Sequence, residues 1–403
     1  VTANVTYPRW LPLLLGFLQA VGPVSTDMYL PAFQAIDTDL HARLGAAQLT
    51  LATWILGLAF GQLLQGSLAD RLGRRAPLLL GTAIYTAATV GCALATSIGW
   101  LAAWRFVAAL GGSASMIVPR AIVRDISEGH DAARMMSRLI LILGAAPILA
   151  PSLGGVVLKF ATWRAIFWIM AGYGAIGLVL SVLLLPDTLA PAQRMSLRLS
   201  TLMGRYVHIA TERCFITHTM MLSAASFSLF AYLSGSPTAF ISFFHMAPEH
   251  FAVLFGAIAA TYILFSQINV VVTRRLGLDG TLHVVSSVYL VLSAALLALA
   301  ITGRGGAVAM GVVLALTQGM IGFLSPTATV GALTRHAAHA GSASAVMGTL
   351  QFLIGCSSGF IIAGLTDGTP LPMAELMFAG ACGVKLADLC RPRANPVVHA
   401  HPS

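Results

Sequence analysis

Gly66-Ser67-Leu68-Ala69-Asp70-Arg71-Leu72-Gly73-Arg74-Arg75 joins two apolar runs, residues 45–68 and 77–96. A bilayer span needs about 20 predominantly apolar residues, and both runs meet that length. The arginines between them read as an anchor at one membrane face. The glycines and the aspartate ask for more than anchoring. Gly66 is expected to let two helices approach closely, and Asp70 to cap a helix N-terminus. The pattern returns as Arg274-Arg275-Leu276-Gly277 after the run 251–272, which suggests an internal duplication.

Composition agrees with a membrane chain. Of 403 residues, 57% are hydrophobic and only 9% charged, against about 25% charged in soluble domains. Twelve spans are expected, at 10–33, 45–68, 77–96, 100–119, 136–157, 165–185, 214–236, 251–272, 282–300, 307–331, 342–364 and 371–389. The last is the weakest, because it carries Glu375, Lys385 and Asp388. The N-terminal apolar run continues through Pro31 and is read as a first span, not a cleaved leader. The net charge of +9 is explained by topology, with no nucleic-acid partner implied. With the N-terminus inside, eighteen of the 23 Lys and Arg residues fall on the inner face, and four (Arg43, Lys159, Arg164 and Arg304) fall outside. That asymmetry places both termini in the cytoplasm. The longest polar stretch, 186–213, divides the chain into a bundle over 1–185 and another over 214–391, with a tail at 392–403. Parallel halves with a site between them are a recurring transporter plan. Cys92, Cys214, Cys356, Cys382 and Cys390 show no metal-ligand spacing and read as apolar filler.

Two charges lie well inside spans. Asp27, in Ser25-Thr26-Asp27-Met28-Tyr29-Leu30-Pro31, is the only charge from Trp10 to Ala35, and Arg105 lies in the run Trp100 to Val118. An intramembrane charge costs roughly 2.5–3.5 kcal/mol even on lenient insertion scales and marks a pathway more often than a scaffold. At 1.5 Å per residue both sit about 8–10 Å below the outer surface, a depth at which they can meet. Gln19, Pro23 and Asp27 form a polar stripe at i, i+4 and i+8, while Arg105, Ala109, Gly112 and Met116 share a face whose small residues leave room for a cavity. Two readings stay open, a proton-carrying Asp27 modulated by Arg105 and a static buried ion pair.

With these motifs in place, the chain resembles the major facilitator superfamily, and within it the drug–proton antiporters of the bicyclomycin and chloramphenicol/florfenicol resistance (Bcr/CflA) type. Gly66 to Arg75 matches the superfamily's G-x-L-x-D-R-x-G-R-R loop. Arg105-Phe106-Val107-Ala108-Ala109-Leu110-Gly111-Gly112 resembles the span-four R-F-x-Q-x-x-G motif, with Ala108 where the family often has Gln. The run from Gly144 through Pro147 to Ala150-Pro151-Ser152-Leu153-Gly154-Gly155 is similar to the span-five antiporter motif, with Ala150 in place of a Gly. Thr26 to Pro31, Arg120-Ala121-Ile122-Val123-Arg124-Asp125, Trp163 to Phe167 and Ala340 to Ala345 resemble the Bcr/CflA type more narrowly.

The resemblance implies an all-α integral membrane protein with the major facilitator fold, twelve helices in two six-helix bundles. It implies secondary active drug efflux by proton antiport across the bacterial inner membrane, by a monomer. No cofactor or metal is expected, because the proton gradient drives exchange. The conformational gate would be Gly66, Asp70, Arg71, Gly73, Arg74 and Arg75, clasping the cytoplasmic side when the transporter faces outward. The antiporter helix would carry Pro147, Pro151, Gly154 and Gly155, the prolines bending it and the glycines allowing close packing. A cavity for small lipophilic drugs is expected to draw on Gln19, Tyr29, Met116, Phe230, Tyr232, Tyr262, Gln267, Asn269 and Gln318. An importer or exporter of a small metabolite or peptide is the alternative. Gly355-Cys356-Ser357-Ser358-Gly359 formally matches G-x-S-x-G, but it lies inside a span with no evident His–Asp pair to activate the serine. An enzyme is therefore not expected.

Overall fold

In the computed structural model the described residues are 8, 10–127, 129–185, 187–189 and 199–392. Arg9, Arg194, Arg198 and Arg393, the linker segment 190–198 and the tail 393–403 lie outside them. The described residues form helices joined by short turns, with no strand among them. The helices are α1 (Leu11–Gln19), α2 (Val21–Asp27), α3 (Phe33–Asp39), α4 (Ala47–Leu72), α5 (Arg75–Ala93), α6 (Ile98–Ile126), α7 (Gly129–Phe160) and α8 (Trp163–Leu184). There follow α9 (Leu199–Thr211), α10 (Arg213–Pro237), α11 (Pro248–Thr302), α12 (Gly306–Leu333), α13 (Ala340–Leu365) and α14 (Leu371–Cys390).

The first expected span is a broken rod. α1 and α2 join at Ala20, and a 3₁₀ turn at Leu30–Ala32, containing Pro31, leads into α3. Asp37 closes this corner: its carboxylate accepts from the Gly45 and Ala47 amides at 2.8 and 2.7 Å. It thereby satisfies an orphan donor at the start of α4 and places negative charge at the positive helix end.

Ten helical stretches among the described residues are long and apolar enough to cross a membrane, against the twelve expected. Two facts account for the difference. α11 is 55 residues long, about 80 Å if straight, more than twice the hydrocarbon core. It bends at Gly277 (φ 70°, ψ 173°), where the sequence separates spans 251–272 and 282–300. α14 carries the three charges noted above and falls outside the ten. Gly73, which ends α4, has φ 90° and ψ 173°, so the two echoed loops turn on glycines of nearly the same conformation. Only glycine adopts that region readily.

Polar contacts join the two sides of the linker at the end that carries Asp39 and Gln48. α4 packs on α13, and α7 on α11. Buried Gln48 bridges them, donating to Thr238 Oγ1 (3.2 Å) and accepting from Thr366 Oγ1 (2.9 Å). Lys159 pairs with Glu249 at 3.1 Å. At the opposite, Arg74, end the pairs among described residues stay on one side of the linker. Arg74 joins Asp70 and Asp125, Glu212 joins Arg335 and His336, and Arg391 joins Asp279 and Asp388. Gln48→Leu keeps the volume but deletes both cross-linker hydrogen bonds, about 1 kcal/mol each. Its expected effect is to part the Asp39 end more often, read as faster labelling of Ile241→Cys by an impermeant thiol reagent. Unchanged labelling would mean that Gln48 does not hold this end shut.

Candidate functional site

The Ser25 to Tyr29 string is held at nearly every residue. Ser25 Oγ lies 2.6 Å from Tyr85 Oη, Trp54 Nε1 donates to Thr26 Oγ1 at 3.1 Å, and Tyr29 Oη lies 3.2 Å from Thr50 Oγ1. α7 crosses directly over the next link. A Cβ added at Gly154 would fall 1.8 Å from the Met28 carbonyl oxygen. Asp27 stands apart. It ends α2, is 5% exposed, and its carboxylate makes no hydrogen bond or ion pair among the described residues. Across the linker divide it lies close enough to Tyr232 to interact electrostatically. Among the described residues the buried Tyr232 hydroxyl has no hydrogen-bond partner, and its ring stacks on Phe255 at 5.5 Å.

Arg105 does not pair with Asp27, which corrects the meeting expected from depth. Its Nη2 donates to the Ser25 carbonyl at 2.8 Å, and the guanidinium lies 4.4 Å from the centres of both the Tyr29 and Trp54 rings and 5.9 Å from Phe167. The reason is local. Ser25 is within the last four residues of α2, whose carbonyls lack helical donors and carry the negative end of the dipole, and the aromatic faces supply the remaining attraction. Tyr29 thus belongs to the arginine's cage. The small-residue face of α6 is filled too: Trp54, Tyr85 and Val21 close over Gly112, and Gly57 lies against Ala109. Arg105→Lys keeps the charge but loses the flat stacking surface, so a loss of about 2 kcal/mol is expected, seen as a lower Tm of the purified protein. An unchanged Tm would contradict the cage.

The other candidate cavity residues fall into separate groups. α6 continues to Ile126, so Arg120 lies within the helix and not in a connection. With the Gln19 amide turned so that its oxygen faces Arg120, that oxygen accepts from Arg120 Nη2 at 2.8 Å. Met116 packs on Gly22, and Phe230 on Gly355 and Phe352. Asn269 Oδ1 accepts from Thr327 and Thr273, Gln267 is exposed, Tyr262 is half-buried beside Gly322, and Gln318 is buried with both amide atoms unpartnered. Sequence reasoning missed Trp54 and Tyr85, which lack a motif. The signal for Trp54 was the need of Arg105 for a partner; Tyr85, which holds Ser25, left none.

Among the described residues the Arg74-end loop bonds to α4, α6, α8 and Asp187. Arg74 is 7% exposed; it reaches Asp125 at 2.7 Å and Asp70 at 2.6 Å, and its amide donates to Asp187 at 3.0 Å. Burial opposes the charge on Arg74, but the two carboxylates outweigh it and the guanidinium pKa is raised. Arg75 donates to the Val182 carbonyl, and Arg71 is exposed. Two expectations are corrected. Asp70 caps no helix start, because it lies in the last turn of α4 and pairs with Arg74. A Cβ at Gly66 would meet nothing within 4 Å, so no close approach needs that glycine. In α7, Pro147 and Pro151 lie inside the helix, and Gly155 faces Pro248 and Ala252 of α11. Gly355 and Gly359 pack on Phe230 and Ala52, which makes that string a packing face.

The Major Facilitator Superfamily profile matches residues 15–360. The chain belongs to the major facilitator superfamily. It is 33% identical to the uncharacterized MFS-type transporter YdgK of Bacillus subtilis, over 92% of each chain. It is 28% identical to a bicyclomycin resistance protein homolog of Haemophilus influenzae, over 92% of this chain and 93% of that one, in line with the Bcr/CflA resemblance. The solved structure of the nucleoside transporter NupG covers 94% of this chain and 98% of its own, with TM-score 0.76 at 15% identity, and shares the fold. The protein is a multi-pass membrane transporter and not an enzyme.

Proposed function

We propose that this transporter exports lipophilic drugs in exchange for protons, with Asp27 as the proton carrier. The observation that carries the proposal is a buried carboxyl with no hydrogen bond or ion pair among the described residues, at the end of α2 and within electrostatic reach of Tyr232 across the linker. An ionised carboxylate so placed is costly, so it needs either a proton or an arriving cationic or polar group. Competition between the two is what exchange requires. Arg105 acts indirectly, gripping the Ser25 carbonyl and so fixing the helix end that presents Asp27. Each proton moving inward supplies about 2.3 kcal/mol per 100 mV.

In this reading the chain crosses the inner membrane twelve times, as halves 1–185 and 214–391 joined by the linker 186–213. Both termini are cytoplasmic, and a monomer suffices. The Asp39 end is then periplasmic and closed, and the Arg74 end opens inward. The bicyclomycin-resistance relative supports drug efflux. Cells expressing the protein are expected to accumulate less chloramphenicol or bicyclomycin than control cells, and a protonophore should abolish the difference. Higher accumulation on expression would favour the metabolite-importer alternative.

A further inference from the structure

Arg120 is a charge that the mechanism above leaves unused. It lies six residues inside the end of α6, about 9 Å along the helix axis from Ile126. Its side chain is exposed, yet its guanidinium reaches the amide of a residue buried between the helices, so it turns into the bundle and not out from its outer surface. No carboxylate pairs with it among the described residues; the partner is the neutral amide of buried Gln19. Arg74 and Arg391, nearer the Arg74 end, differ in that both are matched by aspartates. Gln19 holds the guanidinium through one oxygen and, being neutral, brings no charge to match it.

We propose that Arg120, oriented by Gln19, forms an anion-accepting subsite inside the bundle toward the Arg74 end, receiving the carboxylate or other anionic end of a lipophilic substrate. The guanidinium fork suits a planar anion, and a positive group so placed raises the local concentration of the opposite charge. The proposal rests on the drug-transport reading and adds to it a class of substrates that carry an anionic end. An anionic lipid headgroup offers the same chemistry, so the test must separate the two sources.

The reporter is Met116→Cys, one turn from Arg120 on the same helix face, with Cys214, Cys382 and Cys390 replaced by serine. The protein is reconstituted in phosphatidylcholine vesicles, and its labelling by an anionic sulfonatoethyl and a cationic trimethylammonioethyl methanethiosulfonate is compared, each rate corrected for free cysteine. The sulfonate is expected to react about tenfold faster. Arg120→Gln should remove that preference and Arg120→Lys should retain it. Equal corrected rates with Arg120 present, a preference that survives Arg120→Gln, or no labelling by either reagent would overturn the subsite. A preference that disappears when phosphatidylglycerol is added would keep the subsite but make its occupant a lipid headgroup, overturning the substrate assignment. A failure here leaves proton-coupled efflux standing, since that is read from proton movement in Asp27→Asn.

Discussion

Asp27→Asn is expected to leave the protein folded while removing drug resistance from cells that express it. The substitution is isosteric, and the carboxylate has no hydrogen bond or ion pair to lose among the described residues. The change in stability should therefore stay within about 1 kcal/mol, and a thermal melt should nearly superimpose on that of the native protein. What vanishes is the titrating group. An amide cannot alternate between a proton and an arriving substrate, so pumping against a gradient should fall to the level of the host strain. Asp27→Glu keeps the titration but adds a methylene to a packed helix end, and a partial loss is expected. Resistance unaffected in Asp27→Asn would make the carboxyl structural, and a large drop in Tm would reveal a partner in another state of the cycle.

Gly154→Ala should have an equally large effect by a different route. A new Cβ would stand 1.8 Å from the Met28 carbonyl oxygen, with the carbonyl carbon at 2.9 Å. The obstacle is backbone, which cannot turn aside as a side chain can. α7 must back away from the very helix end that presents Asp27. Overpacking of this kind costs about 1–3 kcal/mol or more, and the shift should weaken transport as well as lower Tm. Gly155→Ala is the matched control, because its nearest neighbour, the Pro248 carbonyl oxygen, lies at 3.4 Å, a tight but manageable contact. Similar tolerance of alanine at the two positions would show that α7 does not press on α2 as described.

These contacts explain what the sequence could and could not reveal. The apolar runs, the arginine-rich loops and the lone Asp27 follow from bilayer thickness and charge cost, both of which leave a trace in composition. Depth could be estimated from helix rise, and it did bring Arg105 to the same string as Asp27. Direction could not. The choice of the Ser25 carbonyl over the Asp27 carboxylate depends on where α2 ends and on Trp54 and Tyr85 arriving from α4 and α5. The same holds for the glycines. Gly154 and Gly66 look alike in a motif, yet one lies under a carbonyl oxygen and the other faces open space. Gly277 was legible only as an echo of Gly73, although the two turns share a conformation. The Arg120–Gln19 pair was hidden because an expected boundary at 119 put Arg120 outside its helix, and α6 runs seven residues further.

Whether Asp27 carries the exchanged proton is tested by drug-driven proton movement in everted membrane vesicles. Vesicles holding the native protein or Asp27→Asn are energised to acidify their interior. Chloramphenicol, florfenicol, bicyclomycin or a lipophilic cation is then added while internal pH is followed. Proton release on drug addition is expected in native vesicles and none in Asp27→Asn vesicles with equal protein content. Undiminished release in the variant would contradict that role of Asp27.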